Sequence, residues 1–318
     1  MKEKSRIGVI GVGSIGAHHA RIFSGMKNIT FSGVVDTDLE KARKIAAKYN
    51  CKAFSRYADI LDSVDAVTIA VPTSHHFKIA MDCLKNNKDI LVEKPVTTTI
   101  REAEKLIQTA NKNKLILQVG HLERFNAGLS LLSTMVKEPR FIESMRLSPF
   151  QGRGIDVDVT LDLMIHDIDI ILSLVQSEVS DLRATGERVL TDNIDIAYAW
   201  LEFRNGCTAE VVASRIGKEK VRKLKIFQHN AYLDLDYLTQ KVILHKKIGG
   251  KLKRQVKKPA EKEPLKEQLV SFVECVRKRT QPVVSGLEGK EALNIALKIS
   301  EHINNDCAAR KQQKRKLK

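Results

Sequence analysis

The first third of the chain alternates short β-branched runs with amphipathic stretches. The runs RIGVIG, ITFSGVVD, DAVTIAVP, DILVEK and LILQVG are predicted strands. The stretches between them, HHARIFSGM, DLEKARKIAAKYN, SHHFKIAMDCLKNN and TIREAEKLIQTANKNK, carry apolar residues at helical spacing and charges on the opposite face. Because this alternation is typical of βαβ units, residues 1–120 are predicted to form a doubly wound α/β domain with a parallel sheet.

The pattern changes after residue 120. A helix is predicted near 125–137, a strand at RFIESMRLSP and a second helix at DVTLDLMIHDIDIILSLV. The alternating segments IDIAYAWLEF, CTAEVVASRI, VRKLKIFQ and KVILHKK then indicate a mostly antiparallel sheet with one exposed face. Residues 121–309 are therefore predicted to form an α+β domain that ends in helices at 265–279 and 289–309, which can pack back on the first domain. A frayed basic tail is predicted at 310–318.

Composition favours a folded chain of two domains, since 318 residues compare with a usual size of about 150 per domain. Hydrophobic residues make up 43% and charged residues 29%, a globular balance. No window approaches the run of about 18 apolar residues that a membrane span needs, and MKEKSRIGVIG lacks the apolar core of a signal peptide. The five cysteines are scattered without a C-x-x-C, so we expect no disulfides, no thiolate zinc site and a cytoplasmic location.

The net charge of +16 is confined to two basic segments. Residues 218–258 hold 13 Lys/Arg against 3 acidic residues, and residues 310–318 hold 6 against none, which accounts for +10 and +6. No nucleic-acid motif accompanies these segments and aromatic residues are only 5%, so no specific nucleic-acid partner is predicted. A solvated face, a subunit edge protected by lysines and attraction to an anionic membrane surface remain open, without membrane insertion.

A glycine-rich turn, Gly11-Val12-Gly13-Ser14-Ile15-Gly16, follows the first predicted strand and opens the first helix. The three glycines permit a tight turn, backbone approach to a pyrophosphate and close packing of helix on strand, with the phosphates at the helix N-terminus. Asp36 ends the second strand, where its carboxylate can accept hydrogen bonds from ribose hydroxyls and would repel a 2′-phosphate. The pattern predicts an NAD site, and its alternative is a plain glycine turn with a strand-capping Asp.

Two further positions carry candidate chemistry. Lys94 ends a predicted strand at the sheet edge where doubly wound folds bind ligands, and Pro95 restricts its backbone. From the residues alone, function and a solvated surface position are equally open for Lys94. Asp162 and His166 have the i, i+4 spacing that puts both side chains on one helix face, so the carboxylate can orient the imidazole as a base for a hydroxyl proton.

The alternatives for this pair are a helix-surface ion pair and a metal site. Apolar neighbours such as Leu161 and Leu163 disfavour simple exposure. His166, Asp167 and Asp169 could ligate a metal ion, but a base for alcohol oxidation needs no metal, and we predict none.

Together these features resemble the Gfo/Idh/MocA family of oxidoreductases over almost the whole chain. The matching elements are GVGSIG with Asp36, VPTSHH before a helix, EKP at 93–95 and the Asp162/His166 pair. The resemblance implies an NAD-binding Rossmann domain and a second domain for substrate binding and for assembly into a homodimer or homotetramer.

The resemblance also implies site roles. Lys94 is expected to contact the reacting hydroxyl and the nicotinamide, with His166 as acid/base and Asp162 as its partner. The remaining expected cofactor contacts are Glu93, His76 at the helix start, and Thr73, at a position where the family often has Asn.

Within the family, QVGHLERFN and GRGIDVDVTLDLMIHDIDIILSLV are most similar to the sugar-nucleotide 3-dehydrogenases. This implies NAD-dependent oxidation of the C3 hydroxyl of a UDP-N-acetylhexosamine to a 3-keto sugar nucleotide, with UDP-GlcNAc as the first candidate substrate. The keto sugar is expected to be the substrate of an aminotransferase that makes 2,3-diamino sugars for lipid A or surface polysaccharide. Arg124 and Arg153 are candidate diphosphate contacts, with surface ion pairs as the alternative, and Asn126 is a candidate contact to sugar or uracil. A free-polyol dehydrogenase, such as one for inositol, and a non-catalytic NAD-binding sensor remain alternative functions.

Overall fold

The structure is a computed structural model that describes residues 4–152 and 157–316. The chain divides into two compact units. The first comprises residues 1–122 and 263–290, and the second comprises residues 123–262 and 291–318. Within the described residues, no helix combines the length and apolar character needed to cross a membrane.

The first unit contains a fully parallel six-stranded sheet in the order β3-β2-β1-β4-β5-β6. Its strands are β1 (Ser5–Ile10), β2 (Ile29–Val35), β3 (Lys52–Phe54), β4 (Ala66–Ile69), β5 (Asp89–Glu93) and β6 (Leu117–Gly120). The connecting helices are α1 (Ser14–Ser24), α2 (Leu39–Tyr49), α3 (His76–Lys85) and α4 (Ile100–Lys112). This order confirms the predicted doubly wound domain; β3, which has only three residues, was not predicted.

The strand order reverses between β1 and β4, so the connections that leave these two strands run in opposite directions along the sheet. Ligands of doubly wound folds bind at such a switch point, beyond the carboxyl ends of the strands. The glycine turn connects the carboxyl end of β1 to α1, which begins at Ser14, and it therefore lies at this switch point. The topology thus brings the predicted cofactor residues to the edge where such a fold binds ligands.

The second unit is built on an eight-stranded sheet in the order β14-β13-β12-β11-β7-β10-β9-β8. It begins with α5 (Ala127–Ser133), β7 (Phe141–Leu147) and, after a π-helical turn at Thr160–Met164, α6 (Ile165–Val175). The later strands are β8 (Val179–Glu187), β9 (Ile196–Phe203), β10 (Thr208–Ser214), β11 (Val221–Gln228), β12 (Ala231–Asp236), β13 (Lys241–Ile248) and β14 (Lys251–Lys257). Only the pairing of β7 with β10 is parallel, so the prediction of a mostly antiparallel sheet is confirmed.

Alternation along the strands gives this sheet one covered and one open face. On the covered face, residues such as Ile142, Leu201 and Leu224 are fully buried. On the open face, Met145, Tyr198 and Trp200 remain exposed. Successive side chains of a strand point to opposite faces of the sheet, and helices pack against only one face. The other face stays exposed, as predicted.

The chain ends with two helices, α7 (Pro264–Lys278) and α8 (Gly286–Lys316). In the first unit, Leu269, Phe272 and Val273 of α7 join the core formed by β1, β2 and α1. Helix α8 continues beyond residue 309, where the sequence pattern predicts fraying. Its last turns are rich in Ala, Arg, Lys and Gln, which favour helix even without an apolar face.

Candidate active site

Glycines shape the turn between β1 and α1 for two different reasons. Gly11 has a φ of +87°, and a Cβ there would lie 2.4 Å from the carbonyl oxygen of Ala70. At Gly16 a Cβ would lie 1.8 Å from the carbonyl oxygen of Gly11. At Gly13, by contrast, a Cβ would meet no atom within 4 Å. Gly11 and Gly16 are therefore required by the fold, whereas Gly13 leaves open space in which a ligand can approach the backbone.

Helix α1 starts without a side-chain cap. Gly13 is its N-cap residue, and the first turn contains no acidic residue. Ser14 and Ile15 are exposed in that turn. The first backbone N–H groups of a helix lack intrahelical acceptors and carry partial positive charge, so this end of α1 suits the negative charge of a phosphate.

Asp36 stands immediately after β2 and braces the glycine turn. Its Oδ2 accepts a hydrogen bond from the backbone N–H of Val12 at 2.9 Å, and its Oδ1 accepts one from the N–H of Asp38 at 3.0 Å. The ammonium of Lys41 lies 3.8 Å from Oδ2. A carboxylate has about four acceptor sites, so Asp36 can hold the turn and still accept hydrogen bonds from ribose hydroxyls.

A cavity of about 700 Å³ opens beside the glycine turn and Asp36. This volume lies within the usual range for a cofactor or ligand pocket, about 300–1,000 Å³. The lining residues that were not predicted include Lys41, Ser55, Arg56, Tyr57, Pro72 and His75. Ser55, Arg56 and Tyr57 directly follow β3. Because that short strand was not predicted, this side of the cavity was not predicted either. The uncapped helix end, the space at Gly13 and the position of Asp36 fit a dinucleotide.

His76 contacts the turn that follows Lys94 at the end of β5. His76 is buried, with Nδ1 2.8 Å from the carbonyl oxygen of Pro95 and Nε2 2.9 Å from that of Val71. Burial lowers the pKa of this imidazole, although both carbonyls oppose the shift. His76 therefore ties the segment carrying Lys94 to the turn after β4. The cavity lining includes neither His76 nor Thr73, which belongs to a short 3₁₀ turn at Thr73–His75.

A second buried histidine lies against Glu93. His19 Nε2 is 3.3 Å from Glu93 Oε1, and His19 Nδ1 is 3.0 Å from Thr68 Oγ1. Glu93 pairs in register with Gly120 of β6, where a Cβ would lie 2.7 Å from the Glu93 carboxyl group. Glu93 is therefore packed inside the unit, and His19 is a neighbour that the sequence analysis missed. The available signal was a histidine on the apolar side of α1.

The Asp162/His166 segment combines two helical geometries. Asp162 lies in the π-helical turn, whereas His166 lies in the first turn of α6 and is 8% exposed. Asp158 anchors this entry, because its Oδ1 accepts the N–H of Ile194 at 2.8 Å and its carbonyl accepts the N–H of Asp162 at 3.0 Å. The sequence predicted one regular helix here. Single π-helical turns occur frequently at functional sites, where they alter the direction of side chains.

A network of buried charges lies beside His166 in sequence. Arg146 of β7 donates to both carboxylate oxygens of Asp167, at 2.6 and 3.1 Å, and to Glu123 at 3.0 Å. Arg222 of β11 donates to the same Glu123 oxygen at 2.9 Å. Burial would lower the pKa of Arg146, but Asp167 and Glu123 outweigh it and raise that pKa well above its ordinary value. Because Arg146 donates to both carboxylate oxygens of Asp167, Asp167 serves as an ion-pair partner.

Among the residues with described positions, no group of three or more His, Cys, Asp or Glu is arranged to hold a metal ion. The sequence pattern did not predict this charge network. Only the polar positions of Arg146 and Arg222 within otherwise alternating strands could have indicated it.

The predicted substrate residues have different environments. Arg124 pairs with Asp169 at 3.3 Å, and its side chain is 16% exposed. Asn126 caps α5, where its Oδ1 accepts the N–H groups of Gly128 and Leu129, and its Nδ2 donates to the carbonyl of Tyr237 at 3.1 Å. The buried Asn126 amide thus has a structural role that its sequence context did not show. Arg153 lies outside the described residues.

Comparisons with known proteins show the family to which the chain is similar. Residues 5–121 match the model of an oxidoreductase family with an NAD-binding Rossmann fold, and residues 143–233 match the GFO/IDH/MocA C-terminal domain. A UDP-N-acetylglucosamine 3-dehydrogenase from Acidithiobacillus ferrooxidans is 34% identical over 301 residues, 92% of this chain and 96% of that protein. A solved structure of that enzyme superposes with a TM-score of 0.90, covering 94% of this chain and 98% of the other. A myo-inositol 2-dehydrogenase from Thermotoga maritima is 25% identical over 91% of this chain and 93% of its own.

Proposed function

Because the chain belongs to the Gfo/Idh/MocA family of NAD-binding oxidoreductases, we propose that it oxidises the C3 hydroxyl of a UDP-N-acetylhexosamine, with UDP-GlcNAc as the first candidate. The observation that carries this proposal is the 34% identity to a UDP-N-acetylglucosamine 3-dehydrogenase over 92% of the chain. The dinucleotide site supports it, since the open space at Gly13 and the carboxylate of Asp36 suit NAD.

In this proposal the cofactor is held by Gly11, Gly13, Ser14, Ile15, Gly16 and Asp36. NAD supplies the hydride acceptor when bound. His166 removes the proton of the C3 hydroxyl, because a neutral imidazole is a suitable base near neutral pH. Asp162 orients the ring of His166, and Lys94 stabilises the negative charge that develops on the oxygen. His76 and Glu93 hold the Lys94 segment in place.

We further propose that Arg124 and Arg153 contact the diphosphate of the substrate. Guanidinium groups bind phosphate oxygens through paired hydrogen bonds. Asp169 already contacts Arg124, so this arginine is held in one orientation before substrate binds. Arg124→Gln should therefore raise KM for the sugar nucleotide while leaving the affinity for NAD unchanged.

The test is incubation of the protein with NAD and UDP-GlcNAc while the absorbance of reduced nicotinamide is followed. A keto sugar can revert to the alcohol, so an aminotransferase that consumes the ketone is included. Production of NADH that depends on the nucleotide sugar is expected, with Lys94→Ala and His166→Ala strongly impaired. Absence of turnover with every UDP-hexosamine tested would refute the substrate, and full activity of both variants would refute the mechanism.

The same assay with myo-inositol tests the second candidate, a free-polyol dehydrogenase. The similarity to a myo-inositol 2-dehydrogenase over 91% of this chain favours that candidate. Turnover of inositol without any requirement for a nucleotide, and no effect of Arg124→Gln, would support it against the sugar-nucleotide proposal.

The keto sugar would be the substrate of an aminotransferase, and we propose that this step serves the synthesis of 2,3-diamino sugars for lipid A or surface polysaccharide. The five free cysteines suit a reducing cytoplasm. Coupled turnover with such an aminotransferase, measured as amino sugar formed per NADH, would test the link.

We also propose that the open sheet face is covered in a homodimer or homotetramer. A continuous row of rings crosses it from Trp200 through Phe141 and Phe227 to Tyr232, with neighbouring centroids 5.5–5.7 Å apart. Exposed apolar patches of this kind usually mark an interface. Trp200→Glu should shift sedimentation equilibrium towards the monomer, and an unchanged mass would refute this interface.

A further inference from the structure

The hairpin formed by β13 and β14 concentrates positive charge at the edge of the second unit's sheet. Residues 241–258 contain eight Lys or Arg and no acidic residue. Every residue of β14 is exposed, as are the last three residues of β13. This segment supplies half of the net charge of +16.

Most of these charges have no acidic partner among the residues that the structure describes. Lys258 pairs with Glu261 at 2.9 Å, but the other seven cations of the hairpin make no ion pair within residues 4–152 and 157–316. The strand register places Lys246 directly opposite Lys253. Side chains in such pairs have Cβ atoms only about 5 Å apart, and like charges there destabilise the hairpin. An external negative charge would relieve this repulsion.

Exposed apolar side chains accompany the cations at the hairpin tip. Ile248 and Leu252 flank the turn at Gly249 and Gly250, and Leu252 is 64% exposed. Both glycines have positive φ and no atom within 4 Å of an added Cβ, so the tip stands clear of the rest of the second unit.

We propose that this hairpin binds the surface of an anionic lipid bilayer. Lysines next to such a surface are attracted to its phosphates, and short apolar side chains can enter the boundary between head groups and acyl chains. The hairpin offers both groups at one projecting tip. Protection of the edge strand alone explains one or two lysines but not exposed Ile248 and Leu252 beside them.

Nucleic acid is the competing polyanion, and the hairpin chemistry disfavours it. Binding of single strands relies on aromatic side chains that stack on bases, and residues 241–258 contain no Phe, Tyr or Trp. Apolar tip residues contribute nothing to phosphate contacts on a duplex. The bilayer is therefore the occupant that uses both features.

The experiment is co-sedimentation of the full chain with vesicles of phosphatidylcholine alone and of phosphatidylcholine mixed with phosphatidylglycerol. Binding is expected only to the anionic vesicles and should weaken as salt is added. Lys246→Gln/Lys253→Gln should reduce the partition coefficient roughly 30-fold, because each lysine lost at an anionic surface lowers binding about fivefold. Lys105→Gln/Lys112→Gln removes the same charge from the exposed face of α4 and should bind as the unchanged protein does.

Two further measurements separate the outcomes. Ile248→Ser/Leu252→Ser should also weaken vesicle binding, and full binding by this variant would overturn a bilayer as the ligand. Binding to a labelled DNA duplex but not to vesicles would overturn the proposal in favour of nucleic acid, and equal losses in the hairpin and α4 variants would overturn the assignment to the hairpin. Unchanged dehydrogenase activity of the hairpin variant confirms that it has folded.

Discussion

Replacement of Arg146 by Met should destabilise the second unit substantially. Arg146 is among the largest fully buried side chains of the chain. It holds Asp167 through two hydrogen bonds and Glu123 through a third. Methionine fills much of the same volume but removes the charge, so the variant tests the ion pair rather than the packing.

The magnitude depends on which carboxylate loses its partner. Glu123 keeps Arg222 at 2.9 Å, so Asp167 is the carboxylate that loses its hydrogen-bonded cation. Breaking a buried pair in this way costs about 3–5 kcal/mol, most of it the cost of the uncompensated charge. If that reasoning holds, Arg146→Met/Asp167→Leu should recover most of the loss, because a buried ion pair replaced by apolar groups is often neutral or better.

The measurement is urea denaturation followed by tryptophan fluorescence. The chain has a single tryptophan, Trp200, in β9, so the signal reports on the second unit. Lys225→Met is the matched control, since it breaks a half-exposed pair with Glu143 in the same sheet and should cost less than about 1 kcal/mol. A loss below about 1 kcal/mol in Arg146→Met, or a double variant no more stable than the single one, would refute the argument.

Three other predictions concern the glycine turn, His76 and Asp195. Gly13→Ala should preserve the thermal midpoint but weaken NAD binding in a fluorescence titration, because its Cβ occupies only the open space. Gly16→Ala should instead lower the midpoint, because its Cβ would lie 1.8 Å from the oxygen of Gly11, and identical behaviour of the two variants would contradict these roles. His76→Gln should lower kcat more than it weakens NAD binding, whereas an equal loss in both would show that the ring contacts the cofactor. Burial raises the pKa of Asp195, but hydrogen bonds from Thr191 and neighbouring N–H groups outweigh it and hold that pKa below its ordinary value. The stabilisation by Asp195 is thus present above the unfolded pKa of about 4 and is lost as the pH falls through the folded pKa. The urea midpoints of Asp195→Asn and of the unchanged protein should therefore differ at neutral pH and converge in acid.

Four strands, β3, β8, β12 and β14, were not among the predicted segments, and for three of them the cause can be identified. β3 has three residues, too few for a periodic signal. In β14, Lys and Arg occupy most positions of an exposed edge strand, and no buried face imposes alternation. β8 is also an edge strand and carries several charged residues. Edge strands are specified mainly by the neighbour to which they add, which lies elsewhere in the sequence.

The sequence by itself determined the features that local spacing controls. Alternating periodicities defined the doubly wound domain, and the turn from Gly11 to Gly16 with Asp36 predicted a dinucleotide site. It also identified Lys94 at a strand end and the Asp162/His166 pair as candidates. Each of these is a short-range pattern, readable without knowledge of which segments meet.

Only the tertiary structure decided which distant side chains share an interaction. Arg146 and Asp167 are 21 residues apart, and Glu123 and Arg222 are 99 apart, yet the buried Arg146, Asp167 and Glu123 and the half-buried Arg222 form one network. Likewise, His76 lies between two backbone carbonyls, and the side-chain oxygen of Asn126 caps a helix. Sequence spacing cannot predict these partners, because the order of strands in a sheet and the need to satisfy buried polar groups select them only after the chain has folded.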